Sequence, residues 1–332
     1  MTETLFTTDA LRIDRPLLSR VADSIFWMSR YVERAEHVAR VLKINNNLLM
    51  DVGDLAPTML ERQWLSVLRI TSAGPPPDGR TPLGERVSRH LTFNGLNPGS
   101  LLSCVFQARE NARAVRSEIS AEMWEQLNQL YWYIQSDEAK TRFDEQSEEF
   151  YNQIMTASMQ FQGLTDQTLT HDQRWNFAQL AKSLERIDVT CRILIARLEA
   201  LEGAEGKLEA ALLNIQWMAV LRMCCSIEAY RRQFLSDLDP LKVSTFLILE
   251  DNFPRSIRYN VSVALAAITS IRLSTTPLHT DPSERILGRL DALLHYAEPQ
   301  EVKDSGVREY LTQIRQQVAD ASATVMATYF LK

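Results

Sequence analysis

This chain is written twice, and that constrains what it can fold into more than anything else in it. VERAEHVARVL at 32–42 aligns with LERIDVTCRIL at 184–194, an offset of 152. QWLSVLRI at 63–70 matches QWMAVLRM at 216–223 at an offset of 153. LNPGSLL at 96–102 corresponds to NFPRSIR at 252–258 (offset 156), and EFYNQI at 149–154 to EYLTQI at 309–314 (offset 160). Matches in one order with slowly drifting offsets are the signature of an internal duplication. The expected organisation is an extension over 1–16, a first half over 17–163 and a second over 170–332. No Gly/Ser linker divides the halves, so they are expected to form one body related by a pseudo-twofold.

Each half predicts the same series of helices. Apolar residues at 21, 25, 28, 32, 35, 39 and 42 follow the i, i+3/i+4 rule, which predicts a first helix from Leu17 to Leu49 and its counterpart from Asp172 to Glu202. The QW segments predict a second helix. Pro and Gly in TSAGPPPDGRTPLG (71–84) then predict a loop in the first half. Asn97 is the expected N-cap of a third helix with Pro98 at its first position, and Asn252-Phe253-Pro254 is expected to do the same in the second half. Helices over 122–135 and 143–161, and over 304–331 at the end, complete the series. VSTFLILE (243–250) has strand character, but nothing else would pair with it, so it is kept helical or irregular. The fold class is all-α: an internally duplicated helical bundle.

Composition excludes several functions. A net charge of −6 argues against a nucleic-acid binder driven by bulk positive charge. The longest uncharged apolar-rich run, Tyr259 to Ile271, is shorter than the roughly 20 residues a membrane span needs. The N-terminus carries acids early and has no basic start before an apolar block, unlike a secretory signal. Cys104, Cys191, Cys224 and Cys225 lack metal or redox spacing and lie in apolar runs, so all four are expected to be reduced core thiols of a cytosolic protein. No P-loop, GxGxxG or nucleophile elbow is present.

The chemistry concentrates in one stripe. At roughly 100° per residue, Arg30, Glu33, Glu36, His37 and Arg40 share one arc of the first helix beside its apolar stripe. Such a stripe is ordinarily a solvated face tied by weak ion pairs. Here, however, Glu33, Arg34, Glu36 and Arg40 recur as Glu185, Arg186, Asp188 and Arg192, while His37 becomes Val189. That persistence predicts that both stripes are sheltered against something specific, with each other across the pseudo-twofold as one candidate; the sequence does not say whether they meet. The third helix adds Arg109, Arg113 and Arg116 with Glu110 and Asn111, whose counterpart VSVALAAITSI is apolar. An arginine-rich helix beside carboxylates is one way to line a polar cavity; an exposed face is the other. Paired Glu-x-x-Glu-His helices invite comparison with di-metal bundles. Yet Glu33 and His37 are four residues apart instead of three, and the flanking arginines repel a divalent cation, so no metal or cofactor is expected.

Together with NPGSLLSCVFQARENARAVRSEIS, QGLTDQTL (162–169), CCSIEAYRR (224–232) and NFPRSIRYN (252–260), the opening LLSRVADSIFWMSRYVERAEHVARVL resembles the blocks of the bacterial alpha-E domain family over nearly the whole chain. The resemblance implies a working association with circularly permuted ATP-grasp-like proteins, often near transglutaminase-like ones, and so a role in amide-bond formation or peptide modification. The polar positions inside the matching blocks are Glu33, Arg34, Glu36, Arg40, Glu110, Asn111, Arg113, Arg116, Glu185, Arg186, Glu228, Arg231 and Arg255.

Two functions compete. In the first, the chain is a helical module that docks on an ATP-grasp-type enzyme or presents its peptide. In the second, it is an enzyme or subunit that binds an anion in a Glu/Arg-lined pocket. There, Glu33, Glu36 or Glu185 is the candidate catalytic group, and Arg34, Arg40, Glu110, Asn111, Arg113, Arg116, Arg186, Asp188, Arg192, Glu228, Arg231 and Arg255 are candidate binding residues. That reading places Arg255 beside the N-terminus of a helix opened by Pro254, and needs burial to raise a glutamate's pKa.

Overall fold

A helix with one long apolar stripe has to bury it, and two such helices of similar length bury theirs most simply against each other. The computed structural model describes residues 17–51, 57–202, 210–235, 238–275 and 281–330. Its regular elements there are all helices, and none is a strand. The extension over 1–16 lies outside the described residues. In chain order come α1 (Ser19–Asp51), α2 (Pro57–Thr71), α3 (Leu83–Phe93), α4 (Leu101–Ala114), α5 (Ala121–Gln135), α6 (Asp137–Glu145) and α7 (Ser147–Thr168). They are followed by α8 (Gln173–Glu202), α9 (Ala210–Met223), α10 (Ile227–Phe234), α11 (Pro240–Leu249) and α12 (Ile257–Thr275). The last three are α13 (Pro282–Tyr296), α14 (Pro299–Asp304) and α15 (Val307–Tyr329).

The 33-residue α1 and 30-residue α8 lie along one another at the centre. Around α1 pack α4 and α7, with α5 set against both; around α8 pack α12 and α15, with α13 set against both. The QW helices are exchanged: α2 rests chiefly on α8 and α9 chiefly on α1. Trp64 and Trp217 are buried, and one continuous apolar core runs through the molecule.

The two QW helices also end alike. After α2, Ser72 N–H donates to Arg69 O and Ala73 N–H to Leu68 O; after α9, Cys225 N–H donates to Arg222 O and Ser226 N–H to Leu221 O. This is the two-bond closure of a helix through a left-handed residue. Ser72 and Cys225 hold that place, with φ of 52° and 54°.

Three local expectations need correction. Asn97 and Pro98 do not open the third helix. They form a turn in which the Asn97 side-chain oxygen accepts from Gly99 N–H at 3.0 Å, and the N-cap is Ser100, accepting from Ser103 N–H. Likewise α12 begins at Ile257, after Pro254 and Arg255, with Ser256 Oγ accepting from Tyr259 N–H. The fixed φ of proline suits the first turn of a helix and the corner of a loop equally, so the pattern alone mislocated both starts. Finally, Cys104, Cys191 and Cys224 are buried as expected, but Cys225 is exposed, carried outward by the left-handed turn. The VSTFLILE segment is helical through Leu249, within α11, with Glu250 as its C-cap. No helix among the described residues is long and apolar enough to cross a membrane.

Candidate functional site

The stripes of α1 and α8 meet. Glu33 on α1 receives Arg186 of α8, with Nε at 2.7 Å from Oε1 and Nη2 at 3.2 Å from Oε2. Glu185 on α8 receives Arg34 of α1, with Nε at 2.6 Å and Nη2 at 2.9 Å. The two Glu-Arg dipeptides therefore exchange partners, each forming a two-pronged guanidinium–carboxylate pair, the geometry in which arginine binds a carboxylate best. Both carboxylates are 0% exposed.

Further donors fill the remaining lone pairs. Glu185 also takes Arg30 Nε at 2.9 Å, and Arg30 Nη1 reaches Ser322 Oγ on α15 at 2.9 Å. Glu33 takes the Gln162 side-chain amide from α7, whose oxygen in turn accepts from Arg186 Nη2 at 2.9 Å. Glu36, also fully buried, pairs with Arg40 one turn along and with Arg255, whose Nη2 lies 3.2 Å from Oε1. Arg255 Nη1 lies 3.7 Å from Glu33 as well, so the segment before α12 is pinned to α1 by charge. His37 stands between the acids, with Nε2 3.1 Å from Glu33 and Nδ1 3.7 Å from Glu36. Nearer the edge, Asp188 holds Arg192 at 3.0 Å and Arg315 of α15 at 2.7 Å, while Arg192 also donates to Ile70 O at the end of α2.

The electrostatics follow from this crowding. Burial alone would push the Glu33 carboxyl up, but Arg186 and Arg255 outweigh it and hold the group well below its ordinary range. At Glu36, burial is likewise outweighed by Arg255 and Arg40, and at Glu185 by Arg34 and Arg30. The arginines move the other way: despite burial, the opposing carboxylates raise Arg34 and Arg255 above the usual guanidinium value. These acids stay ionised and are poor proton acceptors. The condition that would make Glu33, Glu36 or Glu185 a general base, a raised pKa, is not met.

Glu33, Glu36 and His37 could present three ligand atoms within 4.8 Å of one another. Arg40, Arg186 and Arg255 already overbalance the two acids, so a divalent cation there would face an uncompensated positive field. The donor set does not suit a metal.

The arginine-rich third helix does not join this lattice. Arg109 lies 4.4 Å above the Tyr131 ring and hydrogen-bonds Asn128 at 2.8 Å, clamping α4 to α5. Arg116 lies over Trp124, and Asn111 caps back to Gln107 O. Arg113 is 67% exposed and pairs only with Glu110 among the described residues. Glu228 and Arg231 on α10 are both exposed and form no ion pair with each other. Of the two alternatives for this helix, the exposed face is the one found: no polar cavity lies between α4 and the carboxylates among the described residues. α4 faces α1 with apolar groups such as Cys104 and Ala108, and turns its charges outward. In contrast, Gln162, Ser322 and Arg315 take part in the lattice without having been singled out, and Arg30, noticed in the α1 arc, proves a principal partner of Glu185. Gln162 opens the QGLTDQTL block, so its place in the sequence was the available signal.

Comparison with known proteins places this seam in context. An uncharacterised protein of Mycobacterium bovis is 24% identical over 93% of this chain, and uncharacterised proteins of Mycobacterium tuberculosis are 24% and 23% identical over the same share. The chain spans only 36% of the length of these relatives. No solved structure matches it. A family model described as a predicted alpha-helical domain with a conserved ER motif matches residues 17–330. Two Glu-Arg dipeptides of this chain, 33–34 and 185–186, are the ones that cross between α1 and α8. The chain belongs to the Alpha-E family.

Proposed function

We propose that this protein is a rigid helical module that works with an ATP-grasp-type ligase in peptide or amide-bond modification, engaging its partner or peptide through its outer faces. One observation carries the reading: each buried carboxylate is saturated by guanidinium groups and held in its ionised, weakly basic state. Such a lattice braces a scaffold; it supplies no nucleophile and no poised base. Relatives in which an equivalent region makes up about a third of a much longer chain agree with a module that acts beside other domains. Four free thiols, three of them buried, agree with a reducing, cytosolic setting.

The scaffold is best explained as one helical unit duplicated and folded on itself about a pseudo-twofold. The exchanged Glu33–Arg186 and Glu185–Arg34 pairs support this, because in a two-fold contact residue i meets j while j meets i. So do the matching closures at Ser72 and Cys225, 153 residues apart, and the exchanged packing of α2 and α9.

The test is to purify the chain alone and with its ATP-grasp-like partner, then follow co-elution and ATP consumption. The expected result is no turnover by the isolated chain and stable co-elution. The exposed-face variants Arg113→Glu or Arg231→Glu should weaken partner activity without unfolding the protein. ATP hydrolysis or ligation by the isolated chain would overturn the module reading.

A further inference from the structure

The buried seam is cationic in a chain whose net charge is −6. Three buried glutamates, 33, 36 and 185, face Arg30, Arg34, Arg40, Arg186 and Arg255. Lys182 adds to this surplus. It lies on α8 one turn before Glu185, mostly buried, and makes no ion pair or hydrogen bond among the described residues. Its isolation has a structural cause. At the 152-residue offset Lys182 corresponds to Arg30, which is fully engaged by Glu185 and Ser322. The equivalent carboxylate, Glu33, is already taken by Arg186 and by the Gln162 amide, leaving nothing for Lys182.

Lys182 lines a pocket between α1, α7 and α8, together with Ser29, Gln162, Thr165 and Gln179 over an apolar wall of Val32, Phe161 and Ala178. Ser29 Oγ is buried there without any hydrogen-bond partner, although the residue is only 7% exposed. Unpaired buried donors are uncommon and mark places where a partner belongs. The other polar groups are committed: Thr165 donates to Phe161 O, Gln162 bridges Glu33 and Arg186, and Gln179 donates to Asp166. Asp166, the acid nearest in influence to Lys182, is exposed and spends one oxygen on Trp175 and Gln179, at 3.0 and 2.8 Å, without pairing with the lysine. The free space is about 20 Å³, enough for one or two water-sized groups.

We infer that this pocket is a binding site for a single carboxylate group, which pairs with the Lys182 ammonium and accepts a hydrogen bond from Ser29 Oγ. The occupant enters head-first with its stem in solvent. One cation and one hydroxyl in so small a space match a planar, singly charged head better than a phosphate, which needs more donors. Burial, together with the Arg186 charge, pulls the Lys182 amine below its ordinary pKa, and a bound carboxylate relieves that penalty. The site is independent of the ligase partnership, so the isolated chain is sufficient to test it.

The experiment uses the full chain and two readouts. Calorimetric titration is run with propionate, with N-acetylglycine as a peptide C-terminus, with neutral N-acetylglycinamide and with inorganic phosphate. In parallel, reductive methylation of the chain's seven lysines is followed residue by residue by mass spectrometry with and without propionate. Saturable binding of both carboxylates but not of the amide is expected. Binding should fall at least tenfold in Lys182→Met and severalfold in Ser29→Ala, and propionate should slow methylation of Lys182 selectively. Binding of N-acetylglycine alone would identify a peptide terminus as the source of the carboxylate, and propionate alone a free acid. Equal or tighter binding of phosphate, no saturable binding of any probe, or methylation of Lys182 unaffected by propionate in the wild-type protein would each overturn the inference.

Discussion

Arg197 carries its charge into the interior with no carboxylate beside it among the described residues. It is 3% exposed, its Nε is unpartnered, and its Nη1 donates to the neutral Gln216 side-chain oxygen at 2.8 Å. Burial pulls its pKa down to about 10, a reversal of the usual behaviour of arginine in this seam. A buried charge without a partner costs stability. Arg197→Met, combined with Gln216→Leu so that no polar group is left orphaned, is expected to raise unfolding free energy by about 1–3 kcal/mol in urea melts. The carboxylates predict the opposite sign. Glu33→Gln leaves Arg186 in the interior without its carboxylate, while Arg255 keeps Glu36, and is expected to cost about 3–5 kcal/mol, whereas Glu33→Leu with Arg186→Met costs less than either single change. Equal, additive losses would show that the pair is not coupled. At this scale the sequence announced which charges matter, because Glu33, Arg34, Glu185 and Arg186 recur at a fixed offset. It did not announce that they would be saturated: Gln162, Arg255 and Ser322 reach them from helices distant in the chain.

Elements were legible where periodicity ran long and illegible where a single backbone angle decided. The apolar rhythm of 21, 25, 28, 32 and onward predicted α1, and its echo predicted α8, within a few residues at either end. The helix starts near Asn97 and Pro254 were missed because Asx turns and N-caps draw on the same residues. Ser100→Ala is therefore expected to destabilise the protein by about 1 kcal/mol by uncapping α4, with loss of amide protection confined at first to that helix. The closures after α2 and α9 make a further point. A side chain at φ above zero strains the backbone, and glycine relieves it. Cys225→Gly, at φ 54°, is expected to stabilise the fold by up to about 1 kcal/mol, read as a higher Tm, while removing the only exposed thiol among the described cysteines. A lower Tm would mean that the Cys225 side chain contributes packing that its exposure does not reveal.

For the molecule as a whole, the lattice sets how the fold answers to acid. Glu33, Glu36 and Glu185 have folded-state pKa values below the ordinary 4.5, so the unfolded chain binds more protons than the folded one as pH falls. Their contribution is fully present above that value and is lost progressively below it, down through the depressed folded-state values. Stability measured by urea unfolding is thus expected to change little between about pH 7 and about pH 5, and to fall steeply below about pH 4.5. Because all three acids lie between α1 and its neighbours, loss should appear in one transition that includes both halves of the chain. Raising salt from about 0.05 to about 0.5 M should leave the acid limb nearly unmoved, since buried pairs are screened far less than surface ones. A stability that instead rises on acidification from about pH 7 to about pH 5 would require carboxylates whose folded-state pKa is raised, and with them the poised base that the enzyme reading needs.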